Sequence, residues 1–282
     1  MDSTNHAFFA PCPRGLEAVL ADELTDLGAA DVKPTAGGVA FHGPLALCYR
    51  VNLQSRIASR ILLRIAEGSY RDEHDVYDAA NAIRWQDWFT PQQRIKVKVS
   101  AHHCPLKSLD FVTLRVKDAV CDRFQFARGK RPTVDTHAPD ILIAVYLDAS
   151  TCTFYVDTSG EPLFKRGWRR SAGEAPIREN LAAGILRLSK WTADTVLYDP
   201  MCGSGTFVIE AALMARRVAP GIGRHFAFEK LLSFDAQRLN DLRTELKAME
   251  IPIKPGLIHA ADDNAHAMTS IKANLTIAGS GD

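Results

Sequence analysis

The stretch Asp199-Pro-Met-Cys-Gly-Ser-Gly-Thr206 constrains this chain more than any other. An apolar run, Thr195 to Tyr198, ends in Asp199. A Gly203-Ser204-Gly205 turn follows, and then an apolar helix from Thr206 to about Ala215. Strand, glycine turn and helix open a Rossmann-like nucleotide site. Glycines let the backbone approach a ligand, and the helix N-terminus offers free N–H groups. The turn is not Gly-x-Gly-x-x-Gly, and no lysine follows its second glycine. A carboxylate stands at the strand end, where it repels an anion and welcomes a cationic or hydroxyl-rich ligand. That chemistry points to S-adenosyl-L-methionine, with its positive amino group and sulfonium, over NAD or ATP. A ligand-free β–α turn is the plainer alternative.

The second strand of such a unit ends in the acid that grips ribose hydroxyls. Leu257 to Ala261 is the next apolar strand, and Asp262-Asp263-Asn264 ends it. Asp262 fits the ribose role, with a simple helix N-cap as its alternative. The separation from Asp199 is far longer than the usual ~20 residues of the dinucleotide fingerprint. The insertion Ala219–Gly256, which carries its own helix, accounts for the extra length. A helix from Pro176 to Ser189 precedes the opening strand. Its first turn holds Glu179, so that turn either reaches the same ligand or is merely capped by the acid.

Upstream the pattern is mixed. A helix is expected over Leu16–Leu27, with strands at Val32–Pro34 and Gly38–His42. A second helical region, Leu45–Asn52, should continue through Ser55–Leu63 and carry Arg56, Arg60 and Arg64 as a basic stripe. Trp85, Trp88 and Phe89 read as core packing. Arg94 to Ser100 alternates strictly, with Ile95, Val97 and Val99 on one side and Arg94, Lys96 and Lys98 on the other. It is a half-buried strand with a basic outer face. A helix over Leu109–Phe126 and an antiparallel pair, Ile141–Leu147 and Cys152–Asp157, complete this part. Gly160 to Gly173, rich in Gly, Arg and Ser, reads as a linker. Ser233 is the expected N-cap of a helix over Phe234–Met249.

Charge is uneven. Residues 94–134 hold ten Lys/Arg against three Asp/Glu in a chain whose formal net charge is +1. Lys165, Arg166, Arg169 and Arg170 follow with no acid among them. Local cation excess within a folded α/β module is the footprint of phosphate binding, with a solvated face as the alternative. Lys107, Lys117, Arg128, Lys130, Arg131, Lys165, Arg166 and Arg169 are the residues expected to meet a nucleic acid, RNA or DNA, and the resemblance named below makes it RNA. The six cysteines are scattered without a Cys-x-x-Cys pair. They read as reduced thiols of a cytoplasmic protein and give no zinc pattern. No apolar run of about 18 residues is present, so no membrane span is expected.

Together these residues resemble the THUMP-domain methyltransferases of large-subunit (23S) ribosomal RNA, the RlmL type that makes N2-methylguanosine. Pro13-Arg14-Gly15-Leu16-Glu17 and Gly37-Gly38-Val39-x-Phe41 resemble its N-terminal ferredoxin-like part. Ser55-Arg56-x-x-Ser59-Arg60, Val116-Lys117-Asp118-Ala119 and Ala138-Pro139-Asp140-Ile141 resemble THUMP landmarks. Arg166-Gly-Trp-Arg169 and Ala175-Pro-Ile-Arg-Glu179 resemble the join into the catalytic domain. The resemblance implies an α/β protein in four parts. These are a ferredoxin-like region (1–46), a THUMP RNA-binding domain (47–158), a linker (159–174) and the first part of a Rossmann-like methyltransferase domain (175–282).

It also implies roles. Asp199 faces the methionine end of S-adenosyl-L-methionine. Pro200, Met201, Cys202, Gly203, Ser204, Gly205 and Thr206 shape the loop around it. Pro176, Ile177 and Glu179 flank the cofactor, and Asp262 binds its ribose. Asn264 stands where the family usually has another acid. The family's base-holding motif, Asn-Pro-Pro-Tyr, has no counterpart here, because the chain contains no Asn-Pro dipeptide. Catalytic residues are therefore expected beyond Asp282, and this chain alone is not expected to methylate RNA. An RNA-binding module with an inert methyltransferase remnant is the competing reading.

Overall fold

The chain is described as a computed structural model covering residues 5–169 and 176–279. Residues 170–175, within and just after the expected linker, lie outside the described residues. Two cores organise the rest. The first six elements are β1 (His6–Pro11), α1 (Glu17–Asp26), β2 (Ala30–Thr35), β3 (Gly38–Gly43), α2 (Leu47–Gln54) and β4 (Leu62–Ser69). Their strands lie in the order β2-β3-β1-β4, a split βαββαβ unit of ferredoxin-like topology. Next come α3 (Glu73–Ala82), β5 (Ile95–Ala101), α4 (Leu109–Arg128), β6 (Ile141–Leu147) and β7 (Thr151–Asp157). Strand β7 pairs antiparallel with β4, so both units share one seven-stranded sheet, β2-β3-β1-β4-β7-β6-β5. The expected boundary at residues 46/47 thus falls inside the ferredoxin-like unit, since α2 and β4 complete it. The β1–β4 pairing that closes the unit is long-range and leaves no local mark in the sequence.

The α1–α4 side of this sheet is the core. Phe8, Phe41, Leu63, Val97, Phe154 and Val156 point into it, joined by Trp85, Phe89 and Phe124. Helix α4 starts on the Ser108 hydroxyl, which accepts the Phe111 N–H, and stops at Gly129 in the left-handed region. The expected helix over Ser55–Leu63 does not form. Chain direction changes at Ser55, which is extended, because the N–H groups of Arg56 and Ile57 donate to the Glu23 carboxylate. A helix would have spent those groups on carbonyls four residues back.

Helix α5 (Glu179–Leu188) adds Ala183 to the first core, and the second core belongs to β8 (Leu197–Asp199), α6 (Thr206–Ala215), β9 (Ile258–Ala260) and α8 (Ala265–Ile277). Strands β8 and β9 are parallel, joined through a crossover, and Trp168, Cys202, Val208, Ile209, Leu213 and Ile271 pack beneath them. The insertion between α6 and β9 carries α7 (Ala236–Ala248), capped by Asp235 and not by Ser233. It turns back onto the N-terminal core: Phe228 stacks on Tyr49 at 4.4 Å between ring centroids, and Leu239, Leu242 and Leu246 are buried there. Among the described residues no helix is long and apolar enough to cross a membrane.

Candidate functional site

The loop after β8 is held from three sides. Cys202 N–H donates to the Ala261 carbonyl at 3.0 Å, and Gly205 N–H to the Cys202 carbonyl at 2.8 Å. Gly203 N–H donates to Asp262 Oδ2 at 2.8 Å, and Met201 N–H to Asp199 Oδ1 at 3.1 Å. Asn274, buried in α8, donates to the Ser204 carbonyl at 3.1 Å. The two glycines serve different ends. Gly205 has φ +86°, and a Cβ there would lie 2.5 Å from Ile271 Cγ1, so it lets α8 pack on α6. Gly203 has φ +51°, and a Cβ there would meet only open space, so the loop stays clear on its outer side.

That outer side is a cavity of about 380 Å³, lined by Pro176, Ile177, Asp199, Met201, Cys202, Gly203, Ser204, Thr206 and Phe207. Eight of these nine are among the residues expected to hold the cofactor. Pro200 and Gly205 belong to the turn itself. Asp262 faces the loop across Gly203, and its other oxygen accepts the Asn264 N–H at 3.0 Å. Those two donors hold its carboxyl below the ordinary aspartate range. A carboxylate has about four acceptor sites, so two remain for ribose hydroxyls. Asn264 caps α8 by accepting the His266 N–H at 2.9 Å. The donor set fits S-adenosylmethionine: carboxylates at Asp199 and Asp262, an open glycine, and the unpaired N–H groups that begin α6.

Burial, with Asp199 and Asp262 nearby, raises the Cys202 thiol above its usual range, so it stays protonated at neutral pH. Cys202 is a packing residue of the loop, not a thiolate nucleophile.

Glu179 does not reach the cavity, because Arg169 takes it. Arg169 Nε donates to Glu179 Oε1 at 2.9 Å, and its Nη groups donate to Ser204 Oγ at 3.0 Å, Thr206 Oγ1 at 2.9 Å and the Ile177 carbonyl at 3.1 Å. One guanidinium thus ties the linker, the start of α5 and the glycine loop together, which suits its rigid fork of donors. Arg169 leaves the expected RNA set for this reason. Arg166 leaves it too. Its side chain is 2% exposed and donates through Nε to Glu210 Oε1 at 3.2 Å, through Nη1 to the Leu163 carbonyl and through Nη2 to the Arg56 carbonyl. Arg56 approaches the other Glu210 oxygen at 3.6 Å. Glu23 takes Arg187 of α5 at 3.4 Å as well as the Arg56 and Ile57 N–H groups.

Of the remaining basic residues, Lys107, Arg128 and Lys130 are exposed. Lys117 pairs with Asp118, Arg131 with Asp122 and Lys165 with Glu161, all at the surface. Arg170 lies outside the described residues. Sequence reasoning passed over Glu23 and Glu210. Each is a lone acid on an otherwise apolar helix face, and buried acids are almost always paired.

Three family models cover most of the chain: an RlmL ferredoxin-like domain over residues 7–62, a THUMP domain over 70–157 and an RMKL-like methyltransferase domain over 166–282. A Synechocystis sp. protein named as a candidate RNA methyltransferase is 36% identical over 96% of this chain and 71% of its own length. A ribosomal RNA large subunit methyltransferase K/L of Aeromonas salmonicida is 39% identical over 95% of this chain. The chain spans only 40% of that relative. Among solved structures, a Listeria monocytogenes protein titled "predicted N6-adenine-specific DNA methylase" matches with TM-score 0.90 and 30% identity, over 99% of this chain and 73% of its own. A methyltransferase complexed with SAH matches with TM-score 0.89 and 29% identity, over 100% of this chain and 74% of its own. With its three domains in this order, the chain belongs to the RlmL-type family of THUMP-containing RNA methyltransferases.

Proposed function

We propose that this chain binds S-adenosyl-L-methionine at the Asp199–Thr206 loop and serves transfer of the cofactor's methyl group, with S-adenosylhomocysteine as the product left behind, to the N2 amine of a guanine in large-subunit (23S) ribosomal RNA, in the cytoplasm. The observation that carries the reading is the pair of carboxylates bracketing an open glycine, Asp199 on one side of Gly203 and Asp262 on the other. When bound, the cofactor supplies an electrophilic methyl group on a sulfonium. Asp199 would meet the methionine amino group, Asp262 the ribose, and Pro176 and Ile177 the flank. Arg169 would hold the loop in shape without touching the ligand. A guanine amine would need no cysteine adduct: its nitrogen would take the methyl group, leaving S-adenosylhomocysteine, and would give up one proton. Amine methylation needs the base turned out of its stack and aligned on the methyl carbon. The RNA module, with its local excess of cations, would supply the grip on the strand.

Calorimetry with S-adenosylmethionine tests the site first. Micromolar binding that disappears in Asp199→Ala supports it, whereas no binding favours an RNA-binding module with an inert methyltransferase remnant. Nucleoside analysis of large-subunit RNA after incubation with labelled cofactor then tests the target in a protein that also carries the base-holding Asn-Pro-Pro-Tyr motif, since this chain, which contains no Asn-Pro dipeptide, is not expected to methylate RNA by itself. The DNA title of the Listeria structure sets the opposing outcome: DNA bound as tightly as structured RNA across a salt series would count against the RNA reading.

A further inference from the structure

The helices lie on one face of the seven-stranded sheet, and the other face is open along β1, β4, β7, β6 and β5. Strand register fixes what stands on it. Lys98 lies opposite Ala144, which lies opposite Tyr155, which lies opposite Arg64. One step along, Ser100, Tyr146 and Thr153 form the next row. Phe9 of β1 approaches Tyr155 at 6.4 Å between ring centroids. Lys98, Ser100, Tyr146 and Tyr155 line a groove of about 600 Å³ with an apolar floor of Phe9, Leu62, Leu142 and Ala144. Tyr146 stands on it 40% exposed.

Charge on the groove is positive. The acids of this face are spent: Glu67 on Arg64 at 3.1 Å, and buried Asp157 on Arg60. Lys98 is exposed and has no acidic partner among the described residues, and Lys96 beside it donates to the Thr136 carbonyl at 2.8 Å. A flat apolar floor, two tyrosines with hydroxyls and an uncompensated lysine match one chemistry. Bases stack on the rings, and the linking phosphates meet the cation. A duplex hides its base faces within its own stack and could not use the floor. A peptide strand would gain little here, since the groove crosses the middle of a sheet whose backbone is already paired.

We propose that the open sheet face is a stacking platform for an unpaired segment of the substrate RNA, with Tyr146 and Tyr155 as stacking residues and Lys98 as the phosphate contact. This rests on the RNA reading and adds to it which part of the RNA is held, and where. The groove ends at Arg60, which also donates to the Gly160 carbonyl where the linker begins. A strand leaving the platform therefore heads toward the cofactor domain.

The test is fluorescence anisotropy of the full chain with a labelled single-stranded oligoribonucleotide of about ten nucleotides, within the span such grooves cover. An unlabelled ribosomal RNA hairpin is titrated in parallel. Tyr146→Ala should weaken single-strand binding roughly 5- to 150-fold, the loss of one base–aromatic stack, while Tyr146→Phe keeps it. Lys98→Ala should reduce the slope of log affinity against log salt by about 0.7. Unchanged circular dichroism excludes misfolding at an exposed position. Should that hold, wild-type affinity in Tyr146→Ala overturns the platform. Hairpin binding without single-strand binding overturns the platform but spares the RNA reading. Binding of neither overturns both. A concentration-dependent dimer that Tyr146→Glu dissolves would assign the face to a second copy of the chain instead.

Discussion

Replacing Glu210 by Gln should loosen the methyltransferase domain from the RNA module. Glu210 is fully buried on α6 and sits between Arg166, 2% exposed, and Arg56, 9% exposed. Burial pushes the Arg56 guanidinium down to about 10, with Glu210 opposing the shift, so Arg56 stays charged at neutral pH. Removing one partner of a buried ion pair costs about 3–5 kcal/mol, because the remaining charge is left uncompensated. Here two cations share one acid, which favours the upper half of that range. A Gln oxygen can still accept from Arg166 and return about 1 kcal/mol. A net loss of about 3 kcal/mol is expected, read as the shift in urea midpoint followed by tryptophan fluorescence. Trp168 belongs to the second core and Trp85 to the first, so the transition should split, with the second core melting early. An apolar replacement of all three residues should not restore stability in full. Arg56 also donates to the Leu213 and Val218 carbonyls at the end of α6, and Arg166 to those of Leu163 and Arg56. The Val218, Leu163 and Arg56 carbonyls would lose these donors, while the Leu213 carbonyl keeps the Val218 N–H at 2.9 Å. A single transition within about 0.5 kcal/mol of the parent would refute the triad as the fastening between the domains.

Three further outcomes follow from the loop. Arg169→Ala removes four hydrogen bonds and leaves buried Glu179 without its cation, so S-adenosylmethionine should bind at least about tenfold more weakly by calorimetry. Arg169→Lys should fail to rescue, since an ammonium cannot span the same acceptors. Gly205→Ala meets both a positive φ, costing about 1–2 kcal/mol, and Ile271, with overpacking adding about 1–3 kcal/mol. Gly203→Ala meets only the first, and thermal melts should rank the two accordingly. Asp262 is held below the ordinary aspartate range by N–H groups that need its charged form. The contact is complete at neutral pH and is lost only as pH falls through that depressed value. Cofactor affinity should therefore stay level down to about pH 5, with Asp262 protonating below its usual ~3.9. Loss of binding around pH 6 that Asp262→Asn abolishes would contradict this.

Where local pattern decided the structure, the sequence was legible. The apolar run, acid and paired glycines of residues 196–206 announce the loop because a strand end, a glycine turn and a helix start are local signals, although Ala261, Asp262 and Asn274 hold it in place. Strand β5 was readable for the same reason: its alternation places Ile95 and Val97 in the core and Lys96 and Lys98 on the open face. Where the partner lies far away, the pattern misled. Arg56, Arg60 and Arg64 have helical spacing, yet the chain between them bends and then enters strand β4, because Glu23 takes the amides a helix needs. Arg166 and Arg169 look like an RNA contact in isolation. Their partners Glu210 and Glu179 turn them into structural ties, and nothing near residues 166–169 announces that. The acids carried the missing information: a Glu inside an apolar helix face implies a buried cation elsewhere.

Those ties bear on how such an enzyme could choose a nucleotide without reading sequence. The groove on the open sheet ends at Arg60. The linker then lines a basic cavity of about 740 Å³ with Glu161, Arg224 and Arg178 among its walls, and that cavity shares Pro176 and Ile177 with the cavity beside the glycine loop, where the cofactor is proposed to sit. Arg224 is fixed there by three backbone carbonyls, of Glu161, Pro162 and Lys165. Arg56, Arg166 and Arg169 fasten both ends of this path. The span from sheet to loop is then set by buried ion pairs and hydrogen bonds, not by a free linker. A fixed span selects a base by its distance along the RNA from the segment the sheet holds. In a protein that also carries the base-holding motif, the Glu210→Gln variant that frees the domains should for that reason broaden the choice of nucleotide before it abolishes RNA binding, an order that a flexible tether would not produce.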